Sequence, residues 1–248
     1  MSTSPNSDLV LEGQNDHKNE NPCGIFSIEL GVFKTPNILF PDFTKHRLTV
    51  FDWDDTLLCS SYIEQNGWNN TREHISNEQK ESLQRLEEIV CKCLDKALFY
   101  SDVVIITNSD HGWVEISSNI FMPKVWNLIS NKKISTISAK TLYQSVLPYE
   151  RWKYETMNIA INNFVSKNPG EHTKHFISFG DTVNDRNAAR NAGFNHNNIL
   201  TKTVVFSGRA NPKILHSQLA MIEREMDRLY EHNGHLDLQI VLSPIKEM

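Results

Sequence analysis

The sequence has few cysteines and no excess of basic residues, and each shortage argues against a class of function. Only four of the 248 residues are cysteine, and Cys91 and Cys93 lie two apart in a helical stretch, where they point to different faces. They therefore suit neither a disulfide nor a zinc site, and a reducing, cytoplasmic setting is the default. With 25 Lys and Arg against 30 Asp and Glu, the net charge is -5. A nucleic-acid groove usually brings a basic excess, so no nucleic-acid partner is expected.

Long apolar runs are also missing. No apolar run approaches the length needed to cross a bilayer, no secretory signal opens the chain, and neither terminus fits a lipidation motif, so no membrane span is expected. Residues 1–24 are rich in Ser, Asn, Asp and Glu and too poor in apolar residues to offset the entropy cost of ordering, which predicts a disordered tail. Residues 25–248 are predicted to form a single domain.

The rest of the chain is organised around the stretch from Leu48 to Leu58, which reads LTVFDWDDTLL. Its first four residues are apolar or β-branched and predict a short buried strand. Asp52, Asp54 and Asp55 follow at once. Because carboxylates this close repel one another, a folded protein keeps them for a cation or for chemistry. Residues two apart on an extended chain project to the same side, so Asp52 and Asp54 are expected to face one ligand.

Two simpler interpretations of the acidic cluster compete with a functional one. An acidic turn on a soluble protein is often only solvated. A calcium loop of the D-x-D-x-D-G type has glycine at its sixth position, where this chain has Leu57, and the preceding run is strand-like. Two later apolar runs that also end in polar residues favour a functional site. The first, VVIITN, ends in Thr107 and Asn108; the second, HFISFGD, ends in Asp181 and precedes Asp185.

Helical periodicity separates these runs. Ser76 and Gln79 form a capping box that predicts a helix start, and an apolar stripe runs from Leu83 to Ala97. This alternation predicts an α/β fold, a Rossmann-like doubly wound parallel sheet with helices on both faces. The other helices are predicted over residues 112–129 with a break at Pro123, over 149–165, over 185–193 with Gly193 at the end, and from Pro212 with an inner face that includes Ile214; the other strands are predicted at 134–137, 203–206 and 236–242.

Lys153 occupies an unusual place in the helix predicted over residues 149–165. It lies one turn before Met157, on the apolar stripe of that helix. A charge on the core side of a helix start is unexpected unless it reaches a partner. The alternative is a lysine that extends past the helix end into solvent. Lys140 competes with it, because Lys140 also follows a strand closely.

Together these segments resemble the haloacid dehalogenase (HAD) superfamily of phosphohydrolases. That family carries D-x-D-x-T after its first strand, a Thr or Ser that ends a second strand, a Lys further on, and G-D-x-x-x-D after a later strand. The resemblance runs from about Thr49 to the C-terminus, and DWDDTLL, TNSDHGWVE and HLDLQI within it look like a group of protist members. The matching residues are Asp52, Asp54, Thr56, Thr107, Gly180, Asp181 and Asp185.

The resemblance implies a magnesium-dependent phosphomonoester hydrolase that acts through an aspartyl phosphate. In that scheme Asp52 attacks phosphorus, while Asp54 protonates the leaving alkoxide and then takes a proton from water. Thr107 and Asn108 would bind the phosphoryl group. Lys153, or alternatively Lys140, would balance the negative charge of the phosphoryl group.

The resemblance also implies the ligands of Mg²⁺. Asp52 and Asp181 would supply carboxylates, and Asp54 would supply its backbone carbonyl. Asp185 would act directly or through water. A scaffold or regulatory binding protein that keeps the fold without turnover is the alternative.

The lengths of the two connections bear on the substrate. Many family members carry a cap domain after the first strand or between the Thr and Lys motifs. Here residues 57–102 are used up by one loop and one helix, and residues 108–152 by one helix and one strand, so a capless protein is expected. The open site would accept a small phosphorylated molecule or a phosphoprotein. The loop around Trp68, and Trp113, would be its nearest walls, although each tryptophan can equally belong to the core.

Overall fold

Strands and helices alternate along the chain as predicted. The computed structural model describes residues 45–68, 71 and 75–241, so the predicted tail lies outside the described residues. In chain order the elements are β1 (Arg47–Phe51), α1 (Ser60–Gln65), α2 (Asn77–Tyr100), β2 (Asp102–Thr107), α3 (Trp113–Phe121), α4 (Pro123–Lys132), β3 (Ser135–Ser138), α5 (Ala139–Tyr143), α6 (Tyr149–Lys167), β4 (Lys174–Gly180), α7 (Val183–Phe194), β5 (Ile199–Val205), α8 (Pro212–Glu231) and β6 (Leu236–Gln239).

The six strands form one parallel sheet in the order β3-β2-β1-β4-β5-β6. From β1 the chain adds β2 and β3 on one side, returns to the centre with β4, and then adds β5 and β6 on the other side. In open sheets of this kind, ligands bind beyond the carboxyl ends of the strands where the order reverses. Here that switch point lies between β1 and β4. The predicted α/β, doubly wound sheet is confirmed.

Helices cover both faces of the sheet, and a separate hydrophobic core lies on each face. One core joins α1, α2, α3, α4 and α8 to the sheet and includes Phe51 and Trp53. The other joins α5, α6 and α7 to the sheet and includes Val50 and Met157. Successive residues of a strand point to opposite faces, which is why Val50 and Phe51 belong to different cores.

The predicted helix boundaries near Ser76 and Pro123 are present. Gln79 N donates to Ser76 Oγ at 3.2 Å, and Ser76 N donates to Gln79 Oε1 at 2.9 Å. The apolar stripe from Leu83 to Ala97 is buried. α3 ends at Phe121, and Pro123 opens α4, a position where the missing N–H of proline costs nothing.

Of the two roles left open for Trp68, the structure shows the core role, whereas Ile214 differs from its predicted place. Trp68 is only 3% exposed and packs edge-on against Tyr62 at 5.4 Å between ring centroids, so it belongs to the core and does not line the site. Ile214 is 39% exposed, because the buried positions of α8 include Pro212 and Leu215, and Ile214 lies about 100° around the helix from Leu215. In addition, the loop predicted at the start of residues 57–102 contains α1.

Neither long connection forms a cap domain among the described residues. Between β1 and β2, the helix α2 packs against α4 and α8 within the same layer. Between β2 and β3, the helices α3 and α4 pack against each other in that layer. No helix in the described part of the chain combines the length and the apolar character needed to cross a bilayer.

Gly193 lies inside α7 and does not end it, contrary to the prediction. The helix continues to Phe194. A Cβ atom on Gly193 would lie 2.0 Å from Thr201 Oγ1, so a glycine is needed for the close packing of α7 on β5. The sequence signal was a helix-ending glycine, but the physical cause is a contact between two elements.

We expect Gly193→Ala to destabilise the fold, because the added methyl group overlaps Thr201 and forces α7 away from β5. Overpacking of a core costs about 1–3 kcal/mol. Thr201→Ala removes the Oγ1 and Cγ2 atoms of this overlap and should restore part of the stability. A double-mutant cycle measured by urea unfolding checks this, and strictly additive losses would contradict the overlap.

Candidate functional site

Three carboxylates converge at the switch point of the sheet. Asp52 follows β1 and Asp181 follows β4, and Asp52 N donates to Phe179 O at 2.8 Å, which ties the two strand ends together. Asp185 reaches the same place from the first turn of α7. One carboxylate oxygen from each of Asp52, Asp181 and Asp185 lies within 4.8 Å of the others. The structure therefore brings together the three acids that the sequence had predicted.

The turn between β4 and α7 places Asp185. Thr182 caps α7: Asp185 N donates to Thr182 Oγ1 at 3.1 Å, and Asp185 Oδ2 accepts from Thr182 N at 3.1 Å and from Thr182 Oγ1 at 2.5 Å. Gly180 permits this close turn, since a Cβ atom there would lie 2.5 Å from Asp185 Cβ. One oxygen of Asp185 is thus used by the helix cap, and the other faces the cluster.

Lys153 is the cation of the cluster. It is buried, and its Nζ donates to Asp52 Oδ1 at 2.7 Å and to Asp185 Oδ1. This contact explains why a lysine lies on the apolar stripe of α6. Lys140, the competing lysine of the sequence, instead pairs with the exposed Asp110 at 2.8 Å. The structure therefore places Lys153 against the acids and Lys140 away from them.

Burial and neighbouring charges shift the pKa values of Asp52, Asp181 and Lys153. Burial raises the pKa of Asp52 well above its ordinary value; Lys153 opposes this rise, and Asp185 adds to it. Burial and Asp185 likewise raise the pKa of Asp181 to about 6, again with Lys153 opposing. Burial disfavours the charge on Lys153, but Asp185 and Asp52 outweigh it and raise the pKa of the ammonium group. Three carboxylates carry more negative charge than one lysine balances.

The same residues fit a bound metal ion. Their donor atoms are carboxylate oxygens, the ligands that hard divalent cations prefer. In the described part of the chain, Asp181 forms no ion pair with lysine or arginine, so its charge is the least compensated. Gly208 lies against it, and a Cβ atom there would be 2.8 Å from Asp181 Oδ2. The cluster can therefore hold a metal ion, and a larger residue at position 208 would crowd the Asp181 carboxylate.

Asp54 lies next to this cluster, and four side chains hold its carboxylate. Ser60 Oγ and Trp113 Nε1 donate to Asp54 Oδ1 at 2.6 and 2.8 Å. Thr107 Oγ1 and Ser109 Oγ donate to Asp54 Oδ2 at 2.9 and 2.8 Å. Sequence reasoning missed the contacts of Ser60, Trp113 and Ser109. Ser109 directly follows Thr107 and Asn108 in the sequence, and this proximity was the one signal that could have indicated its role.

Thr107 and Asn108, at the end of β2, differ in their hydrogen bonds. Thr107 Oγ1 donates to Asp54 and accepts from Ser109 N at 2.9 Å. Asn108 Oδ1 is buried and has no hydrogen-bond partner among the described residues. A buried polar atom without a partner is costly unless a ligand supplies one. Phosphoryl binding by Thr107 and Asn108 stays a prediction.

Asp55 and Thr56 shape the turn that carries the acids. Asp55 takes a left-handed φ of 55°, and its Oδ1 accepts from Ser61 N at 2.9 Å at the start of α1. Thr56 Oγ1 donates to Asp52 Oδ2 at 3.3 Å. Cys59, at the end of this turn, is buried, and burial raises the pKa of its thiol to about 12, which makes it an inert core residue.

No protein-family model, curated protein or solved structure matches the chain. Membership of the HAD superfamily accordingly stays a prediction that rests on the motif residues. The described residues by themselves establish a parallel α/β sheet and a buried carboxylate cluster at its switch point.

We expect a divalent cation to stabilise the fold through Asp52, Asp181 and Asp185, because a ligand that binds only the folded state raises the unfolding temperature. Without a cation, the raised pKa of Asp181, about 6, means that stability falls as pH rises from the ordinary carboxyl pKa to that value. At a pH below this raised pKa, a cation must displace the proton of Asp181 before it can bind. The gain from Mg²⁺ or Mn²⁺ in thermal unfolding should therefore be larger at about pH 7.5 than at about pH 5.

Two matched variants locate the cation. Asp181→Asn removes a carboxylate of the cluster and should abolish most of the gain in unfolding temperature. Asp95→Asn makes the same chemical change on the exposed side of α2 and should keep the gain. Equal stabilisation of the two variants would place the cation elsewhere.

Proposed function

We propose that the protein is a magnesium-dependent phosphomonoester hydrolase of the HAD type. The observation that carries the proposal is the buried Lys153 in contact with Asp52 and Asp185, beside Asp181, at the switch point of the sheet. Phosphate monoesters are dianions, so a carboxylate nucleophile is repelled by its own substrate. Positive charge next to that carboxylate removes the obstacle.

Asp52 is the proposed nucleophile. Attack of its carboxylate oxygen on phosphorus forms an aspartyl phosphate, and the ester P–O bond breaks with its electron pair on the leaving oxygen. Asp54, two residues further along, gives a proton to that oxygen. It then takes a proton from the water that hydrolyses the aspartyl phosphate and frees Asp52.

The remaining site residues manage charge. Asp52, Asp181 and Asp185 would hold Mg²⁺, together with the backbone carbonyl of Asp54 that the resemblance implies. Mg²⁺ when bound offsets the negative charge of the phosphoryl group and the acids. Lys153 provides a second positive charge. It contacts Asp52 Oδ1, whereas Thr56 contacts Asp52 Oδ2.

Thr107 and Asn108 are the proposed contacts of the phosphoryl oxygens. The hydroxyl of Thr107 can rotate from Asp54 toward a bound phosphate, since Ser109 also donates to the same Asp54 oxygen. Asn108 would donate from its Nδ2 group, because its buried Oδ1 without a partner is an acceptor, as the phosphoryl oxygens are. Because neither connection adds a cap, the site would accept either a small phosphomonoester or a phosphorylated protein. Trp68 takes no part, since it lies in the core.

A scaffold or regulatory binding protein with the same fold is the second candidate. The observation that favours it is the degree to which the site satisfies itself. Lys153 is already paired with Asp52 and Asp185, and Asp54 already accepts four hydrogen bonds. Such a site can be stable without a substrate.

Asp52→Asn separates the two candidates. In the presence of Mg²⁺ the parent should hydrolyse p-nitrophenyl phosphate, and the variant should lose about four orders of magnitude or more in rate, because an amide is a poor nucleophile. Asp95→Asn, on the exposed side of α2, is the matched control and should keep the parent rate. A parent that turns over no phosphoester supports the scaffold, whereas an Asp52→Asn variant with a sizeable fraction of the parent rate contradicts the assigned nucleophile.

The two lysines can be compared in the same assay. Lys153→Met should lower kcat/KM by about 100-fold or more, because it removes the positive charge beside the nucleophile, while Lys140→Met should change it by less than about threefold. Loss of the ammonium also leaves buried carboxylates unpaired, so the folded fraction is checked by circular dichroism and the milder Lys153→Arg is measured in parallel. A larger loss in Lys140→Met would transfer the role to Lys140.

A further inference from the structure

We infer that Trp113 is a positioning residue that orients Asp54 for proton transfer to the leaving group, so that the site suits phosphomonoesters with poor leaving groups, such as alkyl phosphates. The inference rests on the proposed function, because it concerns the proton that Asp54 transfers. It starts from the 2.8 Å hydrogen bond between Trp113 Nε1 and Asp54 Oδ1.

Trp113 is held firmly enough to act as a reference point for Asp54. It opens α3 directly after Gly112, which takes a φ of 84° that favours glycine. Trp113 O accepts from Ser117 Oγ at 2.6 Å, and Ser117 Oγ in turn accepts from Trp53 Nε1 at 3.0 Å. Trp53, which lies between Asp52 and Asp54 in the sequence, is fully buried. This chain of contacts ties the start of α3 to the loop that carries Asp54.

The indole differs in kind from the other donors to Asp54. Ser60, Thr107 and Ser109 donate through hydroxyl groups, which can rotate toward a substrate or a water molecule. The indole N–H has a direction fixed by the ring and cannot accept a hydrogen bond. Trp113 is therefore the donor that keeps Asp54 Oδ1 in one orientation while the hydroxyl groups rearrange.

The hydrogen bond matters most when the leaving group departs. As the P–O bond breaks, its electron pair moves to the leaving oxygen and the Asp54 proton transfers to it, which leaves a carboxylate on Asp54. A donor already directed at Oδ1 stabilises the negative charge that develops there. An alkoxide needs this proton, whereas p-nitrophenolate departs as a stable anion. Loss of the indole N–H should therefore slow alkyl esters more than p-nitrophenyl phosphate.

Trp113→Phe tests the inference, because it keeps an aromatic ring and removes the N–H. The measured quantity is kcat/KM, which reports the steps up to formation of the aspartyl phosphate. We expect a loss of about tenfold or more for glycerol phosphate and about twofold or less for p-nitrophenyl phosphate. Trp126→Phe, the same substitution at a partly buried position on α4, should leave both values close to those of the parent.

Ser60→Ala is the second variant. It removes a hydroxyl donor to the same Asp54 Oδ1 and should shift selectivity less than about twofold, because a hydroxyl that rotates does not fix the carboxylate; a folded Ser60→Ala variant with a tenfold shift would assign the positioning role to Ser60 instead. Equal losses on the two substrates in an active parent background would overturn the positioning role, because a purely structural defect does not depend on the leaving group. A parent that hydrolyses neither substrate refutes the proposed function itself, and the inference fails with it.

Discussion

Repulsion among the buried carboxylates at the switch point is the constraint on which the rest of the site depends. Asp52, Asp181 and Asp185 approach within 4.8 Å, and each needs a partner that offsets its charge. The fold supplies one such partner by placing Lys153, near the start of α6, between Asp52 and Asp185. α6 and α7 pack against each other on one face of the sheet, so this ion pair and the helix packing reinforce one another.

Two acids that are neighbours on the same loop are given different surroundings. Asp52 is buried among charges, and burial raises its pKa despite the contact with Lys153. Asp54 is more exposed and accepts hydrogen bonds from neutral groups, three hydroxyls and one indole. Environments that separate two carboxylates in this way commonly accompany a division of roles between them. The proposed pairing of a nucleophile with an acid–base group follows from that difference.

The fold and the charged cluster could be predicted because their signals are local. Strand-and-helix alternation fixed the sheet, strand ends marked Asp52 and Asp181, and a charge on an apolar stripe marked Lys153. Trp113 was considered only as a wall or a core residue, because its contact with Asp54 arises from the tertiary approach of α3 to the loop. For Trp68 a wall of the site and a core position both stayed open, since polar neighbours in sequence say little about burial. The HAD resemblance supplied roles, which spacing alone cannot.

The three acids are not equivalent as metal ligands, and the hydrogen bonds rank them. Asp185 is fully engaged, with Oδ1 facing Lys153 and Oδ2 accepting from the cap of α7. Asp52 has Oδ2 in contact only with Thr56 at a long 3.3 Å, and Asp181 has no cation of its own in the described part of the chain. A cation would therefore find its best ligands in Asp181 and Asp52, while Asp185 would act mainly through water. That ranking lets Lys153 and a cation share the cluster, because each neutralises a different part of it.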